Sequence, residues 1–158
     1  MPRDVAIPSG PSNVPAEFNG LYTDSSAVLS CCWIAPEATL LVHKYGAAQT
    51  LVAGFRLPNN QRFDKGQTVT ISFLGVAGPS HTEFLQEGSQ YMVKMPVPPQ
   101  LRKRTGLIPI RIVSAVDYVP GRDNPPVRSI GTLFHVHAGQ EEHDMRQLGT
   151  VLLYLYFQ

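Results

Sequence analysis

The chain has 158 residues, a length suited to one domain with a buried core, and its 43% apolar against 16% charged residues exclude a disordered tail. A formal net charge of +1 gives the chain as a whole no electrostatic footprint for nucleic acid. No run of about 18 apolar residues occurs, so no membrane span is expected, and the amino terminus lacks the charged-then-apolar layout of a signal peptide.

Fourteen prolines and thirteen glycines suit short strands joined by turns. Residues 1–17, with four prolines among Ser, Asn and Gly, read as a linker or irregular lead-in, which leaves 18–158 as the ordered domain. Leu21-Tyr22 is a short first strand, followed by Ala27–Leu29, Cys31–Ile34 and Ala38–His43, the last alternating Leu40 and Val42 against Thr39 and Leu41. Leu51–Leu57 is a strand closed by Pro58; Pro58-Asn59-Asn60-Gln61 and Asp64-Lys65-Gly66 are turns. Thr68–Leu74 gives the clearest half-buried strand, with Val69, Ile71 and Phe73 opposite Thr68, Thr70 and Ser72. Gly75 and Gly78-Pro79 end it. Gln90–Met95 alternates again, and Leu101–Thr105 carries Arg102, Lys103 and Arg104, read as a solvated basic turn. Leu107–Val113 resumes β character, with Val116–Val119 as its extension, and Thr150–Phe157 is the last strand. Thr82–Gln86 and Gln140–Gln147 are the two helical readings.

Strands at this spacing predict an all-β, jelly-roll-like β-sandwich of roughly eight to ten strands. The adjacent Cys31 and Cys32 point to opposite faces of a strand, which makes them reduced fillers and favours a cytoplasmic setting. Leu155-Tyr156-Phe157-Gln158 matches part of an engineered protease site, but the apolar run through Val151–Phe157 reads as a native strand.

Three stretches carry a family resemblance: Gly20-Leu21-Tyr22, then Cys32-Trp33-Ile34-Ala35-Pro36-Glu37-Ala38-Thr39-Leu40, then Asp144-Met145-Arg146-Gln147-Leu148-Gly149-Thr150-Val151. Together they resemble jelly-roll, carbohydrate-binding-module-like domains appended to bacterial glycosyltransferases and envelope-polysaccharide proteins. Ile34 departs from that pattern, which has Thr or Ser there, and Val119–His143 does not match it in length. The resemblance implies a non-catalytic accessory module. Its expected partners are a glycan or an adjacent glycosyltransferase domain, with no nucleic acid. Read physically, Trp33 is a core anchor, while Asp144 and Arg146 share a face at the start of the last strand as structural residues.

Two constellations compete as sites. In Gly131–Gly149, His135 and His137 share a strand face and Glu142 follows. The pattern looks like the first metal motif of cupins, and two imidazoles with a carboxylate suit Zn, Fe, Mn or Ni. Ser129 stands where that motif has glycine, and the chain ends nine residues after Gly149, where a second motif is due. An exposed His-rich hairpin is therefore the plainer reading, and no metal or other cofactor is expected. Tyr118, Arg122, Asp123, Asn124 and Arg128 combine an aromatic face with hydrogen-bonding groups, which is what a sugar ring needs, and form the expected carbohydrate site. Asp117 and Asp123, six apart, are a candidate carboxylate pair. No nucleophile-elbow serine or phosphate-cradling glycine loop is present, so a binding domain is expected rather than an enzyme. A protein-interaction module using strand edges or the Tyr154 and Tyr156 faces is the alternative.

Overall fold

The computed structural model describes residues 19–22, 33–78, 80–123 and 146–158. Its strands are β1 (Asn19–Tyr22), β2 (Trp33–Lys44), β3 (Thr50–Arg56), β4 (Gln67–Phe73), β5 (His81–Leu85), β6 (Gln90–Pro96), β7 (Gly106–Ser114) and β8 (Thr150–Phe157), with one helical turn, α1 (Pro120–Asp123). The class is all-β, as expected. Seven strands follow one another in the order β5-β4-β7-β2-β8-β3-β6, every neighbour antiparallel, and the sheet curls until it is nearly closed; β1 pairs with β2 outside this path. Among the described residues the sheet holds seven strands on this path and β1 beside it, at the low end of the expected eight to ten, and together they form one curled sheet; Ala27–Leu29, expected as a strand, lies outside those residues.

The strands depart from the expected ones in three places. Cys31–Ile34 and Ala38–His43 are expected as separate strands because Pro36 lies between them, yet Trp33–Lys44 runs as one strand. Trp33 and Ile34 pair with β8, whereas Glu37–Lys44 pair with β7, so Pro36 falls where β2 changes partner and its missing N–H leaves no gap in either ladder. Val116–Val119 does not extend β7; it turns away and makes one bridge, Tyr118 to Leu148. Thr82–Gln86 is not helical, because His81–Leu85 pairs residue for residue with Gln67–Ile71.

Alternation decides what fills the interior. Val69, Ile71 and Phe73 of β4, Ile108, Ile110 and Ile112 of β7, Ala38, Leu40 and Val42 of β2, and Leu51, Ala53 and Phe55 of β3 are buried in one cluster. Strand β8 contributes Leu152, Leu155 and Phe157, a spacing that breaks the period of two. A bulge is the reason: Gly54 faces Tyr154 but Phe55 faces Leu152, leaving Leu153 without a partner. On the outer face the Tyr154 ring lies on Gly54 so closely that a Cβ there would sit 2.2 Å from Cζ, so a larger residue would have to displace the ring. Strands β5 and β6 share no ladder; the hydroxyl of Tyr91 accepts from the Gln86 N–H at 3.3 Å where the two strands turn. Among the described residues no helix is long and apolar enough to cross a membrane.

Two buried polar side chains hold the two ends of this sheet. At the end where β3 and β8 finish their pairing with each other and β4 begins, the Gln67 amide donates to the Val116 and Gly149 carbonyls at 2.6 and 2.9 Å and accepts from the Val116 N–H at 2.8 Å. At the opposite end the Lys44 ammonium, fully buried, donates to the carbonyls of Tyr45, Arg102 and Arg104 at 3.2, 2.9 and 3.0 Å. Three acceptors match the three protons of an ammonium group. Replacing it by an apolar chain of similar length, Lys44→Met, removes the ammonium from the Arg102 and Arg104 carbonyls, while Tyr45 keeps the Ala48 N–H, and is expected to cost about 2–4 kcal/mol in urea unfolding with an unchanged slope. An unchanged midpoint would show that these bonds contribute nothing net.

Candidate functional site

The connection from β3 to β4 begins with a capped turn. Asn60 accepts the Arg62 N–H on its side-chain oxygen at 2.9 Å and so starts the short helical turn Gln61–Phe63. Phe63 drives inward against Trp33 and Tyr118, with ring centroids 6.4 and 5.8 Å away, which turns its neighbour Arg62 outward. Gly66, at φ 84°, then reverses the chain into β4, a conformation that favours glycine.

A second connection, following β7, meets the first. Tyr118 exchanges two backbone hydrogen bonds with Leu148, at 2.6 and 2.8 Å, and Pro120 opens α1. The Asp123 carboxylate accepts the Val119 N–H at 2.8 Å, closing that turn on itself. Arg122 grips Asp123 through Nε at 2.9 Å and Nη2 at 2.8 Å, and reaches Asp117 through the same Nη2 at 3.3 Å. Arg62 approaches from the other connection, its Nε on the Asp117 carbonyl at 2.8 Å and its Nη2 on the carboxylate at 3.1 Å. Hydrogen bonds from Arg122 hold the carboxyls of both Asp117 and Asp123 below the usual carboxylate range, against the opposing effect of burial. Asp123 and then Asp117 in turn keep the Arg122 guanidinium protonated.

Beside this network lies an open cleft of about 470 Å³ lined by Gln61, Arg62, Asp64, Lys65, Gly66, Val116 and Asp123. A second cleft of about 330 Å³ shares Asp64, Lys65 and Gly66 and continues to Phe84, Gln86 and Glu87. The Phe84 ring rests on Gly66, where a Cβ would stand 2.3 Å from its Cζ, and 54% of the residue remains exposed. Glu87 accepts the Asn60 N–H at 2.7 Å and Leu57 donates to Ser89 at 3.1 Å, so the turn after β5 is fixed to the rim of the cleft. Both clefts therefore have walls already in place. Their chemistry is an open aromatic face with carboxylate, amide, ammonium and guanidinium groups on either side. Because Asp117 and Asp123 are held ionised, they accept hydrogen bonds and have no proton to give near neutral pH.

Of the expected carbohydrate residues, Asp123 lines the first cleft, while Arg122 belongs to the network beside it and holds the Asp123 carboxylate. Tyr118 is placed differently: only 7% exposed, its ring packs on Trp33 at 5.7 Å and belongs to the core. Asn124 and Arg128 lie outside the described residues, as do the metal-motif residues His135, His137 and Glu142, the cysteines, Asp144 and the lead-in 1–17. Among the described residues no group of three or more His, Cys, Asp or Glu side chains is arranged to hold a metal ion. Asp117 and Asp123 do come together, but around the guanidinium of Arg122. Sequence reasoning missed Arg62, Lys65 and Phe84. The signal for Phe84 was its alternation with buried Leu85 once His81–Leu85 is read as a strand. The chain matches no known family, no curated protein and no solved structure.

The lowered carboxyls set a sign for acid stability. Their contribution is complete above the ordinary carboxylate pKa of about 4 and is lost as pH falls through the lower folded-state values. The double variant Asp117→Asn/Asp123→Asn should be less stable than the parent near neutrality, and should lose less on acidification between about pH 5 and pH 2. Urea midpoints across that range test this; parallel curves would show that the network contributes no stability.

Proposed function

We propose that the chain is a non-catalytic accessory module that binds carbohydrate, with the sugar ring laid on Phe84 and its hydroxyls taken by the polar groups of the two clefts. The observation that carries this reading is the exposed Phe84 ring, which lines the second cleft and is seated on Gly66, a residue that both clefts share. A sugar offers a C–H face for an aromatic ring and an edge of hydroxyls that both donate and accept. Asp64, Glu87 and Gln86 accept, while Lys65, Arg62 and Gln61 donate, and the ring supplies the apolar floor. The three sequence stretches that resemble carbohydrate-binding-module-like domains support the same reading, and with it a jelly-roll-like relationship and a bacterial setting beside a glycosyltransferase, while the adjacent Cys31 and Cys32 favour the cytoplasm. The module acts by position: it holds a glycan near a catalytic domain and raises its effective concentration there.

A second reading rests on a different surface. Tyr154 and Tyr156 lie side by side on the outer face, centroids 6.0 Å apart, over Gly54 and the fully buried Val52. In a protein-interaction module this pair is the contact, and Tyr156→Ser would weaken self-association in sedimentation while sparing glycan binding.

Glycan-array screening followed by calorimetry tests the first reading. Phe84→Ala is expected to weaken binding about ten-fold, equivalent to about 1.4 kcal/mol, with Phe84→Trp retaining it. A parent protein that retains no glycan, or a Phe84→Ala variant that binds as well as the parent, sinks the proposal.

A further inference from the structure

The end of the sheet opposite the Phe84 cleft has a different chemistry. Three connections meet there, 45–49, 74–78 and 97–105, and none contains Asp or Glu. They form one continuous surface: the Val97 N–H donates to the Gln49 carbonyl at 2.9 Å, and the Gln100 amide to the Ala77 carbonyl at 3.3 Å. Lys44 sits beneath, and by drawing the carbonyls of Arg102 and Arg104 inward it leaves the side chains of Arg102, Lys103 and Arg104 exposed. Of the five large apolar side chains exposed among the described residues, three are here: Tyr45 at 48%, Leu74 at 46% and Leu107 at 46%. By contrast, Asp64, Glu87, Asp117 and Asp123 all lie at the other end.

We propose that this end of the molecule docks on the surface of an anionic phospholipid bilayer. Charge complementarity gives the sign: three adjacent cations without a carboxylate side chain in the same connections attract a negative surface. The apolar component selects the bilayer over other polyanions. Leu74-Gly75-Val76-Ala77-Gly78 carries no charged or hydrogen-bonding side chain, so nucleic acid or an acidic peptide would leave Leu74 and Leu107 in water. At the boundary between headgroups and acyl chains the same leucines are buried, Tyr45 lies with its ring in and its hydroxyl at the headgroups, and the basic side chains reach the phosphates. The docking face and the Phe84 cleft are at opposite ends, so a bilayer on one leaves the other open to ligand.

Vesicle flotation of the full chain tests the proposal, with pure phosphatidylcholine compared against phosphatidylcholine containing about 30% phosphatidylserine. Retention on the acidic vesicles alone, weakening as salt rises, is the expected result. Each basic residue near such a surface contributes about five-fold, so Lys103→Gln/Arg104→Gln should weaken binding about 25-fold. Leu74→Ser/Leu107→Ser should weaken it as well, while Phe84→Ala leaves it unchanged. All of these side chains are exposed, and circular dichroism with thermal unfolding confirms that each variant is folded. The proposal is overturned by a parent protein that ignores acidic vesicles, by basic-pair variants that bind as the parent does, or by loss of binding in Phe84→Ala. It is equally overturned if DNA is bound more tightly than acidic vesicles and the leucine variants bind both unchanged.

Discussion

A buried polar side chain left without partners costs free energy, and of the four that the described residues bury, Lys44, Gln67 and Thr150 all take those partners from the backbone. Gln67 and Lys44 are the clearest such places. Each projects from a strand end into the connections at its own end of the sheet, and each bonds carbonyls that no ladder satisfies. The connections are therefore shaped from inside, by what the buried group demands, and not only by their own turn residues. At one end this sets the course of Val116 and Gly149, and with it the approach of Asp117 and α1 to Arg62. At the other it sets which way a basic turn faces.

Where alternation meets a partner on each side, the fold was legible. Thr68–Leu74 could be read because Val69, Ile71 and Phe73 all go to one interior and nothing interrupts them. Pro36 misled because a proline's effect on a strand depends on whether its N–H has a ladder to join, and that depends on β7 and β8, far away in sequence. Strand β8 hides its own bulge, since Val151–Phe157 is apolar throughout and period alone does not say which of Leu152, Leu153 and Leu155 turns in. The segment Thr82–Gln86 looked helical for want of a pattern; it is a strand because β4 offers it an edge.

For the site, polarity was legible and orientation was not. Arg122 and Asp123 were expected in one polar loop with Tyr118; Asp123 lines the first cleft, and Arg122 holds its carboxylate from the network beside it. Tyr118 beside them had the composition of a sugar platform, but its ring is claimed by Trp33 and Phe63, an arrangement that needs three distant segments to meet. Phe84 had no such claimants. Its partner is a glycine in a turn, which offers a flat backbone to lie on and no bulk to cover the outer side of the ring. Exposure of one aromatic and burial of another thus follow from neighbours that no local window contains.

The unjoined boundary between β5 and β6 has a consequence for motion. A closed barrel opens cooperatively, because every strand must lose two ladders to leave. Among the described residues β5 is bonded only to β4, and β6 only to β3, while the Tyr91 hydroxyl takes the Gln86 N–H just past the end of β5. Local opening along this boundary costs less than unfolding the sheet, so the amides of β5 should exchange with solvent well before those of β2 and β7. Phe84 rides on that less protected strand while Gly66, Asp64 and Lys65 belong to the connection leading into β4. A ligand bridging the two pins a fluctuating strand to a steady one, and part of its binding free energy appears as slowed hydrogen exchange across β5.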